Sequence, residues 1–442
     1  MHIPYSLIVA VERGEVPAED LEELEREHLS AACKTCARGI LEGEARTRRP
    51  GSSRYVEPDD PLERLRQRLD LREMELHKHV ERARSWVRQV VKMDPSKRRE
   101  KVGRANSRLQ GPVFCILLLE EARRHIPGDP AEALSLADAA VGANVRYARD
   151  FPPDPEIQAP ALAVRGNAKR ALGRIRAAEE DLEAARKLLD SPALTDPLTG
   201  AEVHAYLGSL RKDQGYLEEA LFHLRRAAVL YQVHGHREEA ARELLTMGTV
   251  YYRHHEFSTA VESDRRALDL LDEGSQAWLL GYAHYNLAFH LHAAGETDRA
   301  AAYLKAHTEL ILSASDQLAN LFVWLRARIA WSREDLQGAR KLFTEARKRA
   351  LDRGIAWDAG LVGLELALVE LVEGRTGRAR KLATEALELF AEQDVARETR
   401  AALELLEAAA RQDALTREAL ERAVAALEEI GDPHRPADRP SS

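Results

Sequence analysis

Small and apolar side chains recur along this chain with a period of about forty residues. Six alanines mark the period, at separations of 42, 40, 40, 39 and 40 residues: Ala178, Ala220, Ala260, Ala300, Ala339 and Ala379. A fixed period in this range is typical of solenoids, in which each unit is one helical pair that cannot bury its apolar face alone. The pattern predicts an all-α chain with repeated helix pairs over about residues 161–390.

Three further positions share this period. Twelve residues before each alanine stands a small residue: Gly166, Gly208, Gly248, Ala288, Ala327 and Ala367. Seven residues after it stand Ala185, Ala227, Ala267, His307, Ala346 and Ala386. Five residues before it stand Gly173, Gly215, His255, Gly295, Glu334 and Gly374. Glycine suits a left-handed helix end, so the first helix of each pair should stop there. Small residues on both helices allow close approach of the axes, where a larger side chain would cost about 1–3 kcal/mol.

This spacing resembles the tetratricopeptide repeat over about residues 109–390. One unit carries the pattern most fully, through Tyr206, Leu207, Gly208, Gly215, Tyr216, Leu217, Ala220, Leu224 and Ala227. The resemblance implies a right-handed α-solenoid. The chain departs from the family in its period, about 40 residues rather than 34, which longer helices explain. It also departs at His255 and Glu334, where turn glycines are expected, and at Asp264, where a core residue is expected.

Composition narrows the class of protein. The 442 residues are 45% hydrophobic, 31% charged and only 5% aromatic, which fits a helical repeat. The net charge of −8 gives no global field that attracts nucleic acid. Three cysteines, an odd count, argue against a disulfide framework and for a reducing compartment. The longest apolar run, Pro112–Leu119, is too short to span a bilayer. We therefore expect a cytoplasmic protein with no membrane partner.

Residues 1–42 predict a small helical head with a candidate metal site. His28, Cys33 and Cys36 have the spacing His-x4-Cys-x2-Cys, and His2 is the candidate fourth ligand. Tetrahedral zinc needs four N or S ligands, and Cys-x2-Cys places two thiolates on one ion. The segment resembles the zinc-binding head of bacterial anti-sigma factors, although its His-to-Cys gap is one residue longer. The alternatives are a metal-free helical hairpin and a Cys-x2-Cys redox pair.

The remaining segments predict a linker and helical caps. Residues 43–60 should form a flexible linker, and 432–442 a disordered tail. Residues 61–108 predict long helices that cap the solenoid, and 391–431 a second cap. The apolar seam from Leu62 to Val90 also allows a coiled coil, which leaves the oligomeric state open. Lys97–Arg108 carries six positive charges and one negative. This run is either a solvated helix face or a phosphate-binding patch, and nucleic-acid contact is the less favoured interpretation.

The resemblance also implies a partner-binding surface. Tetratricopeptide arrays usually bind partners on their concave side, lined by first-helix residues six and three before the small residue and one, four and five after it. Transferred to this chain, those positions and their neighbours predict Tyr252, Arg253, Tyr282, Tyr285, Phe289, His292, Trp324, Arg328 and Trp331. Aromatic residues anchor binding hot spots, and arginine holds carboxylates. The alternative is that these side chains bury one another inside a tight superhelix.

The sequence contains no Gly-rich phosphate loop, nucleophile elbow or His-Glu-x-x-His motif, so no enzyme activity is expected. We predict a non-enzymatic scaffold or adaptor that binds a protein segment or peptide. Its head would make it a bacterial regulatory protein, with zinc as the only expected cofactor. One alternative is a peptide-sensing receptor, similar to the repeat portion of bacterial quorum-sensing regulators. Another is a nucleic-acid-binding regulator that acts through Lys97–Arg108.

Overall fold

The computed structural model describes Lys78 and residues 80–104, 112–147, 154–272, 274–391 and 416–430. Within these ranges every regular element is an α-helix. The chain divides into unit 1, Met1–His125 with Ala131–Val164, and unit 2, Ile126–Pro130 with Arg165–Ser442. None of the described helices is long and apolar enough to cross a bilayer.

The helices are numbered here in chain order. They are α1 80–91, α2 Pro95–Arg104, α3 Pro112–His125, α4 Pro130–Tyr147, α5 Pro155–Ala171, α6 Ile175–Leu188, α7 Pro197–Asp213, α8 Leu217–Val233, α9 Arg237–Arg253, α10 Phe257–Leu270, α11 Ala277–Ala293, α12 Thr297–Ala306, α13 Thr308–Ala314, α14 Asp316–Ser332, α15 Leu336–Asp352, α16 Ala356–Val372, α17 Thr376–Ala391 and α18 Arg417–Ile430.

Unit 1 has an apolar core of its own. Val87 and Val90 of α1, Phe114 and Leu118 of α3, and Leu136 of α4 are all buried. These residues recur on one face of each helix, which is how an amphipathic helix supplies a core. The described part of the Leu62–Val90 seam is thus packed within unit 1.

Unit 2 is an α-solenoid in which consecutive helices pack on one another, from α6 through α17. The six marker alanines are completely buried. Where the small residue of the first helix is a glycine, it faces the second helix of its own pair. A Cβ on Gly166 or Gly208 would lie 2.7 and 2.6 Å from the Cγ atoms of Leu182 and Leu224. The sequence rhythm therefore corresponds to a repeated close contact between paired helices.

The turn between paired helices keeps one conformation even where glycine is missing. The four turn glycines have φ of 71, 81, 80 and 78°, and His255 and Glu334 have φ of 58 and 61°. The next residue donates its N–H to the carbonyl five residues earlier, as from Glu256 to Tyr251 at 2.9 Å. This is the bonding of a glycine-terminated helix end. The departures at His255 and Glu334 therefore do not interrupt the repeat.

One departure from the pattern does alter a helix. His307 stands where the other repeats have alanine, and it separates α12 from α13. Its ring stacks on His284 at 4.1 Å, and its Nδ1 lies 2.9 Å from the Tyr303 carbonyl oxygen. A side chain that bonds to the preceding turn competes with the helical ladder, which accounts for the break.

Candidate functional site

First helices of consecutive repeats share a cavity of about 180 Å³ in unit 2. Repetition explains this, because successive units place equivalent first-helix residues side by side. The lining comes from α9, α11, α14 and α16, with one residue from α18. Its members are Thr249, Tyr252, Arg253, Tyr282, Tyr285, Asn286, Phe289, His290, Leu321, Trp324, Leu325, Arg328, Trp357, Asp358, Leu361 and Leu427.

One side of this cavity is an aromatic wall formed by Tyr252, Tyr282, Tyr285, Phe289 and Trp324. The ring centroids of Tyr252 and Phe289 lie 4.9 Å apart, and those of Tyr285 and Phe289 lie 6.2 Å apart. Tyr285 and Trp324 are only 8% and 7% exposed. The rings pack mainly against one another, at distances where aromatic pairs add stability, and the cavity is the space left between them.

Arg328 of α14 fixes the position of the wall. Its Nε lies 2.8 Å from an oxygen of Glu365, and its guanidinium carbon lies 4.7 Å from the Trp324 ring centroid. The Trp324 indole N–H donates to the same carboxylate. Two contacts on one buried carboxylate hold both side chains in place, so the wall is formed before any ligand arrives.

Charged groups line the cavity toward α9 and continue beyond it. Burial lowers the pKa of Arg253, and Asp213 opposes that shift. Burial alone would raise the pKa of Asp213, but Arg170, Lys212 and Arg253 outweigh it and the pKa is lowered. Arg170 Nη1 lies 2.5 Å from Asp213 Oδ2. Arg253 thus connects the aromatic cavity to an ionic cluster formed by Arg170, Lys212 and Asp213 of α5 and α7.

Asn286 is a buried amide in the cavity lining. Its side chain is 5% exposed, and Nδ2 has no hydrogen-bond partner among the described residues. A buried donor without a partner costs about 1–3 kcal/mol. Because Asn286 lines the cavity, a bound group would be able to accept this hydrogen bond, which makes Asn286 a candidate ligand contact.

A histidine and an aspartate lie together at the cavity floor. His290 Nδ1 is 2.5 Å from Asp264 Oδ2, and both side chains are nearly inaccessible. Asp264 occupies the position of Leu182, Leu224 and Leu304 in other repeats. Its burial is therefore compatible with the repeat because His290 supplies a polar partner.

Seven of the nine predicted partner-binding residues line the cavity: Tyr252, Arg253, Tyr282, Tyr285, Phe289, Trp324 and Arg328. His292 and Trp331 do not. His292 is half-buried near Thr297, where burial and Arg328 lower its pKa to about 4, so it is neutral at pH 7. Trp331 lies under Arg417 of α18, whose guanidinium carbon is 6.0 Å from the ring centroid.

Sequence reasoning missed several lining residues. Asn286 and His290 lie two positions before and after the small residue Ala288, and these are not among the partner-binding positions of the tetratricopeptide family. Trp357 and Asp358 belong to α16, one repeat beyond those that contain the predicted partner-binding residues. Asp264 is the sequence feature that could have indicated His290, because a carboxylate at a core position implies a polar partner nearby.

Arg98 corrects the interpretation of the basic run Lys97–Arg108. It is 1% exposed and ion-pairs with Glu132 at 2.8 Å. It also donates to the carbonyl oxygens of Val90 and Met93, at 3.0 and 3.1 Å. Arg98 is thus a structural cation that closes the α1–α2 turn, and it cannot belong to a surface phosphate patch.

The candidate zinc ligands His2, His28, Cys33 and Cys36 lie outside the described residues. The described ranges contain no group of three or more His, Cys, Asp or Glu side chains arranged to hold a metal ion. Cys115 of α3 is buried, and burial raises its pKa to about 12. That thiol is a core side chain.

Several solved structures share this fold. A Rap protein complexed with competence and sporulation factor has a TM-score of 0.55 at 13% identity, covering 70% of this chain and 85% of that chain. The apo form of RapI has a TM-score of 0.51 at 12% identity, with coverages of 71% and 97%. Aspartyl phosphate phosphatase F from Bacillus subtilis has a TM-score of 0.51 at 13% identity, with coverages of 89% and 96%.

These likenesses show a tetratricopeptide-like helical-repeat fold, and at such low identities they show the fold alone. No protein-family model and no curated protein matches the chain.

Proposed function

We propose that unit 2 binds a peptide or an extended protein segment in the cavity between α9, α11, α14 and α16. The observation that carries this proposal is the buried donor of Asn286 in a cavity walled by prearranged aromatic side chains. Aromatic rings supply contact area at low entropic cost, and an unpartnered amide supplies a specific hydrogen bond to a main chain.

The size of the cavity favours a peptide over an enclosed small molecule. Its volume of about 180 Å³ lies below the roughly 300–1,000 Å³ of pockets that enclose drug-sized ligands. At roughly 30 Å³ per water molecule, it holds about six waters, or one to two side chains. A peptide would therefore anchor one or two residues in the cavity and extend from it toward the ionic cluster of Arg170, Lys212 and Asp213.

The likeness to a Rap protein complexed with competence and sporulation factor adds a precedent for ligand capture on this fold. It favours a peptide-sensing receptor as one form of the proposed scaffold. The proposal also includes a regulatory adaptor, in which residues 1–42 contact a second partner. The sequence there supplies two histidines and two cysteines that would fit structural zinc: His2, His28, Cys33 and Cys36. The regulatory part of the proposal is supported by the spacing of these four residues alone.

Selection from a random-sequence peptide library on the full-length chain tests the proposal. A selected peptide should bind saturably, and Asn286→Ala should weaken it about tenfold or more, because one buried hydrogen bond is worth about 1–3 kcal/mol. Asn320→Ala is the matched control. Asn320 is 1% exposed and its amide atoms also have no partner among the described residues, but it does not line the cavity.

Failure to select any saturable binder would refute the peptide proposal. Equal weakening by Asn286→Ala and Asn320→Ala would remove the cavity from it, since the loss would then reflect general core damage.

A further inference from the structure

The pair formed by Asp264 and His290 is unusual for its place in the repeat. Leu182, Leu224 and Leu304 occupy the position equivalent to Asp264 and are fully or almost fully buried. Replacing both members of a buried ionic pair by hydrophobic residues of similar volume is often neutral or stabilising, whereas removing one member is destabilising. Apolar residues at both 264 and 290 would thus serve the fold at least as well, which indicates that the pair has another role.

Gly248 provides the space for this carboxylate. A Cβ at Gly248 would lie 2.6 Å from Asp264 Oδ1 and 3.3 Å from His290 Cε1. Oδ1 has no hydrogen-bond partner among the described residues, so His290 is the contact that orients the carboxylate. Burial raises the pKa of Asp264, and His290 opposes that shift.

Asp264 also decides which atom His290 offers to the cavity. Since Nδ1 faces Asp264, the ring's other nitrogen, Nε2, is the polar atom left for a ligand. A buried carboxylate without a countercharge is costly, so we treat the pair as neutral overall, either as carboxylate with imidazolium or as carboxylic acid with imidazole. In both forms Nε2 carries a hydrogen and can donate it. The ring stacks on Tyr252 with centroids 5.7 Å apart and planes 30° apart, so both neighbours hold its orientation. Carboxylates orient histidines in a similar way in metal and catalytic sites.

Two basic groups of the cavity lining have their carboxylate partners outside it, while Asp358 is a carboxylate within the lining. Arg328 and His290 line the cavity, whereas Glu365 and Asp264, which pair with them, do not. Asn286 adds an amide donor on the same helix as His290. Most of these groups offer N–H donors, which fits ligand oxygens as acceptors.

We propose that His290 donates a hydrogen bond from Nε2 to a carbonyl or carboxylate oxygen of the bound peptide, and that Asp264 is the positioning residue that orients it. The inference rests on the proposed function, because it names a specificity-determining contact within the same cavity.

Two isosteric substitutions separate this contact from a structural role. The Asn amide nitrogen can replace Nδ1, and the Gln amide nitrogen can replace Nε2. His290→Asn therefore keeps the bond to Asp264 and removes the ligand contact, while His290→Gln does the reverse. For the peptide selected on the full-length chain, His290→Asn should weaken binding about tenfold to a hundredfold. His290→Gln should bind more tightly than His290→Asn, because it keeps the donor to the ligand and loses only the contact that orients it.

Asp264→Leu supplies a second, independent test. Leucine fits beside Gly248 as Leu182 and Leu224 fit beside Gly166 and Gly208. This variant leaves His290 without its buried partner, so it should unfold at a lower temperature than the wild type and bind the peptide at least tenfold more weakly. A purely structural pair predicts the same loss of stability with unchanged affinity.

The outcomes distinguish this inference from the proposed function. If the selected peptide responds to Asn286→Ala but binds His290→Asn and Asp264→Leu as tightly as the wild type, the inference is overturned and the peptide groove stands. If no library member binds saturably, both are overturned. Free-acid and amidated forms of the selected peptide then show whether the accepting oxygen belongs to its terminal carboxylate or to an amide.

Discussion

Two glycines of one helix test whether close contact between paired helices stabilises the repeat. Gly208 of α7 faces Leu224 of α8, which is completely buried. A Cβ at Gly208 would lie 2.6 Å from Leu224 Cγ and 3.2 Å from its backbone nitrogen. Gly200, on the same helix, has 3.8 Å to its nearest neighbouring atom, which is ordinary contact. We predict that Gly200→Ala is more stable than Gly208→Ala.

The size of the effect follows from two terms. Alanine is favoured over glycine within a helix by about 1 kcal/mol, and this term is common to both substitutions. Only Gly208→Ala adds overpacking, which costs about 1–3 kcal/mol. Gly200→Ala should therefore stabilise by up to about 1 kcal/mol. Gly208→Ala should fall below it by about 1–3 kcal/mol.

Amide hydrogen exchange in α7 and α8 is the appropriate assay. Repeat arrays open locally and need not unfold in a single step, so one global free energy of unfolding would average the effect away. Protection of α7–α8 amides should rise in Gly200→Ala and fall relative to it in Gly208→Ala. Equal protection in the two variants would show that the small residue is not required by a tight helix contact.

Two further predictions concern titration and metal. Glu243 is 6% exposed, and burial raises its pKa from 4.5 to about 7, so the folded state favours its protonated form. The resulting stabilisation is complete below pH 4.5 and is lost as pH rises through 7. The melting temperature should therefore fall between pH 5 and pH 8, by an amount equivalent to at most roughly 3 kcal/mol, and Glu243→Gln should flatten that fall; an unchanged slope would contradict the burial argument. Elemental analysis of the full-length chain should find one zinc per molecule, lost in Cys33→Ser with Cys36→Ser, and a zinc-free, fully folded wild type would exclude the site formed with His2 and His28.

Periodicity made the repeat predictable, because the same small residues meet the same neighbours in every unit. The marker alanines are all completely buried. What periodicity missed were exceptions stabilised by tertiary contacts. Glu334 adopts a positive φ because the bonding of the helix end is kept, and Asp264 is tolerated because His290 lies opposite.

The partner-binding positions of the tetratricopeptide family predicted only part of the candidate site. They include the residues of the aromatic wall but not Asn286 or His290, which line the cavity from other positions of α11. Arg98 was misassigned for a related reason. Charge counting treats every arginine as solvated, whereas Arg98 is held by carbonyl oxygens and Glu132 in the interior.

Helix α18 borders the cavity on one side. Leu420, Ala423 and Leu427 are buried in the apolar core that includes α16, and Leu427 also lines the cavity. Among the described residues, α18 is therefore a boundary of the cavity beside α16. A peptide bound as we propose would meet that boundary, so the identity of its residues near α18 would be restricted by an element of the protein that lies outside the periodic repeats.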